Sequence, residues 1–320
     1  MEINFKPRRL VRNGFVQTIM ASQKLRVPTN AMTETARKMI INGGNDEKLL
    51  AYYSKQSGKS KGTVLLIHGW EGSSDSTYII KTGGYLYDCG FDIVRLNQRD
   101  HGDSHALNKG LFRCTLLDEV FGAVQSAAKI SPKLPFYVAG FSIGGNFALR
   151  IAIKNGKKKI PNLKYVVAVS PVINPYNSTK ATDSSLVIRK YFLTKWGKSL
   201  IKKQTLFPNL YDFSNIHKFK TIMQMTDEFV EKYTEHKTSE EYFSKYTITS
   251  DQLKNINVPT ALITSEDDPV IPVEDVRKLK GNKYLDIGIL PYGGHNGFFD
   301  ILPYSIWYHS KMLECFSSKE

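Results

Sequence analysis

Residues 136–149 read FYVAGFSIGGNFAL, an apolar run that meets one serine between glycines and then becomes apolar again. The run predicts a buried strand, and the residues after Ser142 predict a helix. A tight strand-to-helix turn crowds the positions two before and two after its central residue, and Gly140 and Gly144 occupy them without a Cβ. In such a turn the serine adopts a strained backbone conformation and projects its Oγ above the sheet. We therefore predict that Ser142 is a nucleophile.

Five further apolar runs of strand length surround this turn, and helix-length stretches alternate with them. Apolar runs without polar alternation are typical of strands that are buried on both faces of a parallel sheet. The helix-length stretches end at stop signals such as Gly90 and Pro132. The pattern predicts a doubly wound, mostly parallel α/β sheet. The predicted strands are 63–69, 91–97, 136–141, 165–170, 260–265 and 284–290, and the predicted helices are 76–90, 115–130 and 143–156.

The alternation is interrupted over residues 171–250, where no buried strand is recognisable and aromatic and basic residues are frequent. Apolar residues recur there at helical spacing, for example Phe219 and Ile222. Long insertions in α/β enzymes often cover active sites, whereas an extra helical layer that only completes the core is the alternative interpretation. We predict an α/β core of residues 1–170 and 251–320 with an inserted helical cap over 171–250.

A nucleophilic serine needs a general base, and the base needs an acid that orients it. When the nucleophile lies on a strand–turn–helix elbow, the chain order is serine, acid, histidine. His295 follows the last predicted strand in the glycine-rich stretch LPYGGHNGFF, which is the position expected of the base. Two adjacent carboxylates, Asp267 and Asp268, follow the preceding strand. We prefer Asp268 as the acid and retain Asp267 as the alternative.

The oxyanion that develops during acyl transfer needs two backbone donors. We predict that these are the N–H of Ile143, at the start of the helix after the nucleophile, and the N–H of Trp70, in the loop after an upstream strand. Trp70, Phe141 and Phe298 are further predicted to line an apolar acyl pocket. The polar stretch NQRDHGDSH at 97–105 is interpreted as a structural turn.

Composition excludes several classes of protein. Three cysteines, Cys89, Cys114 and Cys315, are odd in number and widely spaced, which indicates neither a disulfide framework nor a zinc site. We therefore expect a reducing, cytoplasmic location. No window of about eighteen residues is continuously apolar, and the N-terminal stretch lacks the apolar segment of a signal peptide. SGKSKG at 57–62 lacks the first glycine of a P-loop and precedes a strand, so we expect no cofactor.

The formal net charge of +14 has two interpretations. One is an ordinary solvated basic surface, and the other is attraction to an anionic membrane surface or an anionic substrate. The densest cluster, KNGKKKIPN at 154–162, has no interleaved aromatic residues and belongs to no nucleic-acid-binding module. We interpret it as an exposed loop and expect no nucleic-acid partner. The expected partner is a small-molecule ester, with transient contact to an anionic membrane as a further expectation.

Several of these stretches together resemble the α/β-hydrolase superfamily. LLIHGWEGSSDSTYI resembles its oxyanion-loop segment, NQRDHGDS the turn after the next strand, GFSIGGN the nucleophile elbow, SEDDPVIP the acid loop and GGHNGF the histidine loop. RNGFVQTI, HGWEGSSDSTYI and GFSIGGN are also similar to the YheT-like hydrolases, a group that includes abhydrolase-domain esterases. This resemblance implies activity on carboxylic esters with lipid or medium-chain acyl groups, and in some members acyl transfer.

The favoured hypothesis is a serine ester hydrolase. Ser142 attacks the ester carbonyl, His295 takes the serine proton, and Asp268 holds the imidazole in the required tautomer. The first alternative keeps this site but transfers the acyl group to an alcohol, which would make the protein an acyltransferase. The second alternative is a non-catalytic hydrolase fold used as a binding protein, a role in which a triad member is usually lost.

Overall fold

The computed structural model describes residues 4–22 and 29–317, and within them eight strands form one central sheet. These are β1 (Arg37–Asn42), β2 (Lys48–Ser54), β3 (Thr63–Ile67), β4 (Asp92–Asn97), β5 (Phe136–Phe141), β6 (Leu163–Val169), β7 (Thr260–Ser265) and β8 (Leu285–Leu290). The sheet order is β1-β2-β4-β3-β5-β6-β7-β8. β2 is antiparallel to both of its neighbours, and every pair from β4 to β8 is parallel. The predicted fold class is confirmed.

All six predicted strands are present, but the sequence analysis missed the edge hairpin β1–β2. The two strands pair in register from Arg37 with Tyr53 to Asn42 with Lys48. β1 is mostly solvent-exposed, so it lacks the continuous apolar run that identified the central strands. The signal that was available is the turn sequence GGNDE between two short apolar runs.

The sheet separates two apolar clusters, and β3 shows why its sequence is continuously apolar. Leu65 and Ile67 pack on one side, while Val64 and Leu66 pack on the other. All four side chains are fully buried. Burial of each such side chain stabilises the fold by about 1.5–3 kcal/mol. A strand covered on both faces has no position at which a polar residue is favoured.

Helices cover both faces of the sheet. The helices are α1 (Gly14–Ser22), α2 (Ala31–Glu34), α3 (Thr77–Asp88), α4 (Leu117–Ala128), α5 (Ile143–Asn155), α6 (Pro175–Ser184), α7 (Leu186–Leu206), α8 (Ile222–Tyr233), α9 (Ser239–Ser244), α10 (Ser250–Leu253), α11 (Val273–Arg277) and α12 (Trp307–Ser317). Residues of α4 and α5 pack with one cluster, and residues of α3 and α12 with the other. A short hairpin of β9 (Phe299–Ile301) and β10 (Tyr304–Ile306) precedes α12.

The helices between β6 and β7 begin at side chains that cap them. Each of α6 to α10 is preceded by an Asn, Ser or Thr whose side-chain oxygen accepts an N–H from the first turn, which satisfies one of the amides left without an intrahelical acceptor. These N-cap residues are Asn174, Ser185, Thr221, Thr238 and Thr249. The local sequence therefore specifies where each helix begins, and the helices pack as a layer that continues the α4–α5 cluster.

No helix within residues 4–22 and 29–317 combines the length and the apolar composition that crossing a bilayer requires. In the same ranges no group of three or more His, Cys, Asp or Glu side chains could hold a metal ion.

Candidate active site

Ser142 lies between β5 and α5 in a conformation that glycine neighbours make possible. Its φ is 55° and its ψ is −118°, which is strained for a residue with a Cβ. A Cβ at Gly140 would lie 2.0 Å from the carbonyl oxygen of Gly144. A Cβ at Gly144 would lie 2.3 Å from the carbonyl oxygen of Ile67 on β3. Both glycines are therefore required by close approach of backbone, and the turn presents the Ser142 hydroxyl at the carboxyl end of the sheet.

Ser142, His295 and Asp268 form a continuous chain of hydrogen bonds. His295 Nε2 lies 2.9 Å from Ser142 Oγ, and His295 Nδ1 lies 3.0 Å from Asp268 Oδ2. Asp268 Oδ1 accepts the N–H groups of Val270 and Ile271 at 2.8 and 2.9 Å. Because a carboxylate accepts, the imidazole carries its proton on Nδ1, and Nε2 is free to accept from the serine hydroxyl.

Asp267, the alternative acid, has a different contact. Its Oδ1 accepts the N–H of Gly294 at 2.8 Å, so it binds the backbone of the loop that carries His295 instead of the imidazole. Burial raises the pKa of Asp267 above its usual range. The two adjacent carboxylates thus contact different parts of the same loop: Asp268 contacts the ring and Asp267 shapes the backbone.

The residues predicted to bind an oxyanion lie on either side of Ser142. Ile143 is the first residue of α5, where an N–H has no acceptor within the helix. Trp70 lies in a turn that the N–H of Gly72 closes by donating to the Gly69 carbonyl at 3.0 Å. A Cβ at Gly69 would lie 3.1 Å from the Ser142 Cβ, which shows how closely this turn approaches the serine.

Two buried histidines and the partly buried Tyr78 hold that turn in place. The Gly69 N–H donates to the Tyr78 hydroxyl at 2.8 Å, and the Glu71 N–H donates to His101 Nε2 at 3.1 Å. His101 Nδ1 in turn donates to the Arg99 carbonyl at 2.7 Å. His68 Nδ1 donates to the Gly69 carbonyl at 2.8 Å, and burial lowers the pKa of His68 to about 4. Both imidazoles are neutral supports of backbone, and for His101 this agrees with the structural turn predicted over residues 97–105.

Lys203 joins the helical layer to the stretch NQRDHGDSH. Its fully buried ammonium donates to Asp100 Oδ1 at 2.6 Å and to the carbonyls of His105 and Asn108 at 3.1 and 2.7 Å. A buried ammonium is tolerated when a carboxylate and further acceptors replace its water. The polar loop therefore anchors the C-terminal part of α7 over the sheet.

α1 supports the histidine loop, although the sequence analysis assigned it no part in the site. Thr18 Oγ1 accepts the His295 N–H at 2.8 Å and donates to the Gly14 carbonyl at 2.6 Å. Gln17 is fully buried and exchanges two hydrogen bonds with the backbone of Phe299, at 2.8 and 3.0 Å. These residues lie within RNGFVQTI, so the family resemblance of that stretch was the signal that could have identified them.

A cavity of about 110 Å³ lies beside Ser142 and extends beneath the helices that follow β6. The predicted pocket residue Trp70 lines it, with its ring centroid 5.2 Å from that of Phe192 and 5.1 Å from that of Trp196. The lining is mainly apolar, with hydroxyl groups along α6. Helices of this layer contribute Thr182, Phe192, Trp196, Ile222, Phe229 and Phe243.

The prediction that Phe141 and Phe298 line the pocket is wrong. Both side chains are fully buried in the cluster on the α3–α12 side of the sheet, where both rings contact Tyr308. Phe141 is a strand residue, and side chains along a strand alternate between the two faces of the sheet. The Phe298 ring fills the space that Gly293 leaves, since a Cβ at that glycine would lie 2.4 Å from the ring.

A family model described as serine aminopeptidase, S33 (Hydrolase_4) matches residues 58–283. The chain belongs to this family. It is thereby a member of the α/β-hydrolase superfamily, as the sequence predicted. The match contains β3 to β7, the elbow, Asp268 and the helical layer, whereas His295 follows its last residue.

The S33 family member has lipid-hydrolysing relatives among curated proteins. It is 25% identical over 260 residues to "Phospholipase ABHD3" of Bos taurus, covering 79% of this chain and 62% of that protein. It is 27% identical over 188 residues to "Monoacylglycerol lipase ABHD2" of Danio rerio, covering 53% of this chain and 43% of that protein. The chain thus spans about three-fifths or less of the length of these two relatives.

Solved structures show the same fold. The Pyrococcus furiosus esterase Pf2001 superposes with a TM-score of 0.58 and 17% identity, over 89% of this chain and 92% of that one. Est1E of Butyrivibrio proteoclasticus, solved with ferulic acid, superposes with a TM-score of 0.55 and 16% identity, over 88% and 98%. At these sequence identities the likeness shows a shared fold and nothing further.

Proposed function

We propose that this protein is a serine hydrolase that cleaves carboxylic esters through an acyl-enzyme. The observation that carries the proposal is the hydrogen-bonded chain from Ser142 Oγ through His295 to Asp268, at the edge of a largely apolar cavity. A serine hydroxyl that donates to an imidazole oriented by a carboxylate is the arrangement of an activated nucleophile. Membership in a hydrolase family supports the same conclusion.

Acylation follows from these contacts. Ser142 Oγ attacks the ester carbonyl while its proton passes to His295 Nε2, and the imidazolium is stabilised by Asp268. The tetrahedral oxyanion accepts hydrogen bonds from the N–H groups of Ile143 and Trp70. When the carbon–oxygen bond of the ester breaks, His295 returns the proton to the leaving alcohol, and the acyl group stays on Ser142.

Deacylation uses the same groups in the reverse direction. A water molecule gives its proton to His295 and attacks the acyl carbonyl, and the carboxylic acid leaves as Ser142 regains its proton. If an alcohol takes the place of water, the product is a new ester. Product analysis with added alcohol separates hydrolysis from transfer. We propose hydrolysis because the relatives that the chain matches are a phospholipase and a monoacylglycerol lipase.

The proposed substrates are esters with lipophilic or medium-chain acyl groups. The cavity is lined by aromatic side chains that favour hydrocarbon, among them Trp70, Phe192 and Trp196. Residues 171–250 would form the cap that excludes water from the acyl group. The division of the chain into a core and a cap at residues 171 and 250, the cytoplasmic location and the absence of a cofactor stay predictions.

A fluorophosphonate probe with peptide mapping tests the proposal. We expect one adduct on Ser142, and we expect Ser142→Ala to lose both the adduct and the turnover of p-nitrophenyl esters, by about 10⁴- to 10⁶-fold. Ser178→Ala is the matched control, because Ser178 lines the same cavity. If folded Ser142→Ala retains turnover, the assignment is wrong. If folded wild-type protein forms no adduct, the binding-protein alternative replaces it.

A further inference from the structure

The outer face of α7 combines exposed apolar and basic side chains. Exposed residues recur there at helical spacing, from Val187 through Lys190, Thr194, Lys198 and Ile201 to Thr205, and therefore form one stripe. Large apolar side chains on this stripe and on its flanks are unusually accessible for a protein surface. Leu186 is 72% exposed, Val187 58%, Leu206 42%, Ile201 40% and Tyr191 36%.

Exposed large apolar side chains are concentrated in α7 and the residues that follow it. Within residues 4–22 and 29–317 there are 12 exposed large apolar side chains, and half of them lie between Leu186 and Leu210. Clustered apolar groups on a protein surface mark a site of interaction more often than scattered ones do. The inner face of the same helix is already occupied, because Phe192 and Trp196 line the cavity beside Ser142.

The charge around the stripe is of one sign. Between Leu186 and Lys220 the sequence has eight lysines and arginines, of which Lys203 is buried against Asp100, and Asp212 is its one acidic residue. Lys190, Lys198 and Lys202 are exposed among the apolar side chains of the helix. Basic side chains interleaved with Leu, Val, Ile and Tyr on one helical face match a surface with anionic headgroups above hydrocarbon. A nucleic acid would use the lysines without the apolar side chains, and the second variant below tests that alternative.

We propose that the outer face of α7 (Leu186, Val187, Lys190, Tyr191, Lys198, Ile201, Lys202 and Leu206) docks this protein on an anionic lipid bilayer. The lysines pair with headgroup phosphates, and the apolar side chains enter the interface. Docking through α7 places the helix that lines the acyl cavity against the bilayer, so lipid esters reach Ser142 from the membrane. The delivery of substrate rests on the proposed function, whereas the docking itself does not.

Vesicle co-sedimentation of the Ser142→Ala protein tests docking without turnover. We expect it to bind vesicles of phosphatidylcholine with phosphatidylglycerol and not vesicles of phosphatidylcholine alone. Replacing Lys190, Lys198 and Lys202 together by Gln should weaken binding about 100-fold, since each basic residue near an anionic surface contributes roughly fivefold. The matched control replaces Lys157, Lys158 and Lys159 by Gln, which removes the same charge from an exposed loop that has no exposed large apolar side chain. That control should bind within about twofold of the parent protein.

A second variant separates a bilayer from other polyanions. Val187→Ser with Tyr191→Ser and Ile201→Ser keeps the charge, and we expect it to lose the vesicle binding that survives about 0.15 M salt, where screening weakens the lysines. The proposal would be overturned if the α7 lysine variant and the loop lysine control lost vesicle binding equally. The proposal would also be overturned if the serine variant bound vesicles as well as its parent protein and the two proteins bound double-stranded DNA equally. That result would show a general site for polyanions. Fluorophosphonate labelling of wild-type protein reports the proposed function separately.

Discussion

The nucleophile region and the α7 region both border the cavity, but they are built from different interactions. Around Ser142 the positions are determined by backbone: glycines without space for a Cβ, and amides bonded to Asp268 and Thr18. In α7 they are determined by side-chain packing, with Phe192 and Trp196 against Trp70. From this difference we propose that the first region controls the reaction and the second controls which substrates enter. Substitutions should therefore lower kcat in one region and raise KM in the other.

The largest effect should distinguish the two adjacent carboxylates of the nucleophile region. Asp268→Asn removes the acceptor that sets the His295 tautomer, and we expect kcat to fall about 10⁴-fold. Asp267→Asn is the matched control; Asp267 contacts the loop backbone at Gly294 and not the imidazole, so this variant should lower kcat less than about tenfold. Steady-state kinetics on a soluble ester measures both. Equal losses would show that the two carboxylates share the role.

One added methyl group in the nucleophile region should have a large effect on stability. Gly144→Ala forces a Cβ against the Ile67 carbonyl, and we expect a loss of about 3 kcal/mol in the free energy of unfolding together with lower kcat. Gly58→Ala is the control, because nothing lies within 4 Å of a Cβ there. Urea unfolding of the two variants tests the difference. A Gly144→Ala protein with wild-type stability and kcat would contradict the close-packed elbow.

Outside both regions, a buried histidine should make the stability of the fold sensitive to acid. His309 in α12 is buried, which lowers the pKa of this histidine from 6.5 to about 3. The unfolded chain therefore binds a proton that the folded protein does not, so stability falls as pH drops below 6.5 and the loss is complete near pH 3. At pH 5 this histidine alone costs about 2 kcal/mol relative to pH 8.

Urea unfolding at the two pH values tests this assignment. His309→Gln should reduce the loss of unfolding free energy between pH 8 and pH 5 by about 2 kcal/mol. His217→Gln, at an exposed position in the helical layer, should leave that loss unchanged. The two neutral variants are matched in side chain. If both produce the same pH profile as the wild type, the decline arises from other groups.

The smallest effect should come from the cavity wall. Phe192→Ala removes a ring that stacks on Trp70, and we expect KM for long-chain esters to rise about tenfold while kcat for an acetate ester is unchanged. The acetate ester is the internal control, since its acyl group does not extend along α7. An equal change for both esters would mean that Phe192 acts on the nucleophile region instead.

Much of this architecture could be predicted because its signals are local. The elbow glycines lie two residues from Ser142, and the buried strands are continuous apolar runs, so neither needs knowledge of distant contacts. The edge strand β1 was missed since one of its faces is solvated. Phe141 and Phe298 were misplaced because an aromatic residue adjacent in sequence to a catalytic candidate can point to the opposite face of the sheet.

The sequence by itself determined the chain order of serine, acid and histidine, the strand–helix alternation and the N-caps of the helical layer, since each depends on residues within a few positions. The tertiary structure decided which of two adjacent aspartates meets His295, that Thr18 in α1 supports the histidine loop, and that Phe192 faces the cavity. These contacts join residues far apart in the chain. Folding decides which backbone amides and aromatic rings come within about 3 to 5 Å of each other. The spacing of residues along the sequence does not encode which of these groups meet.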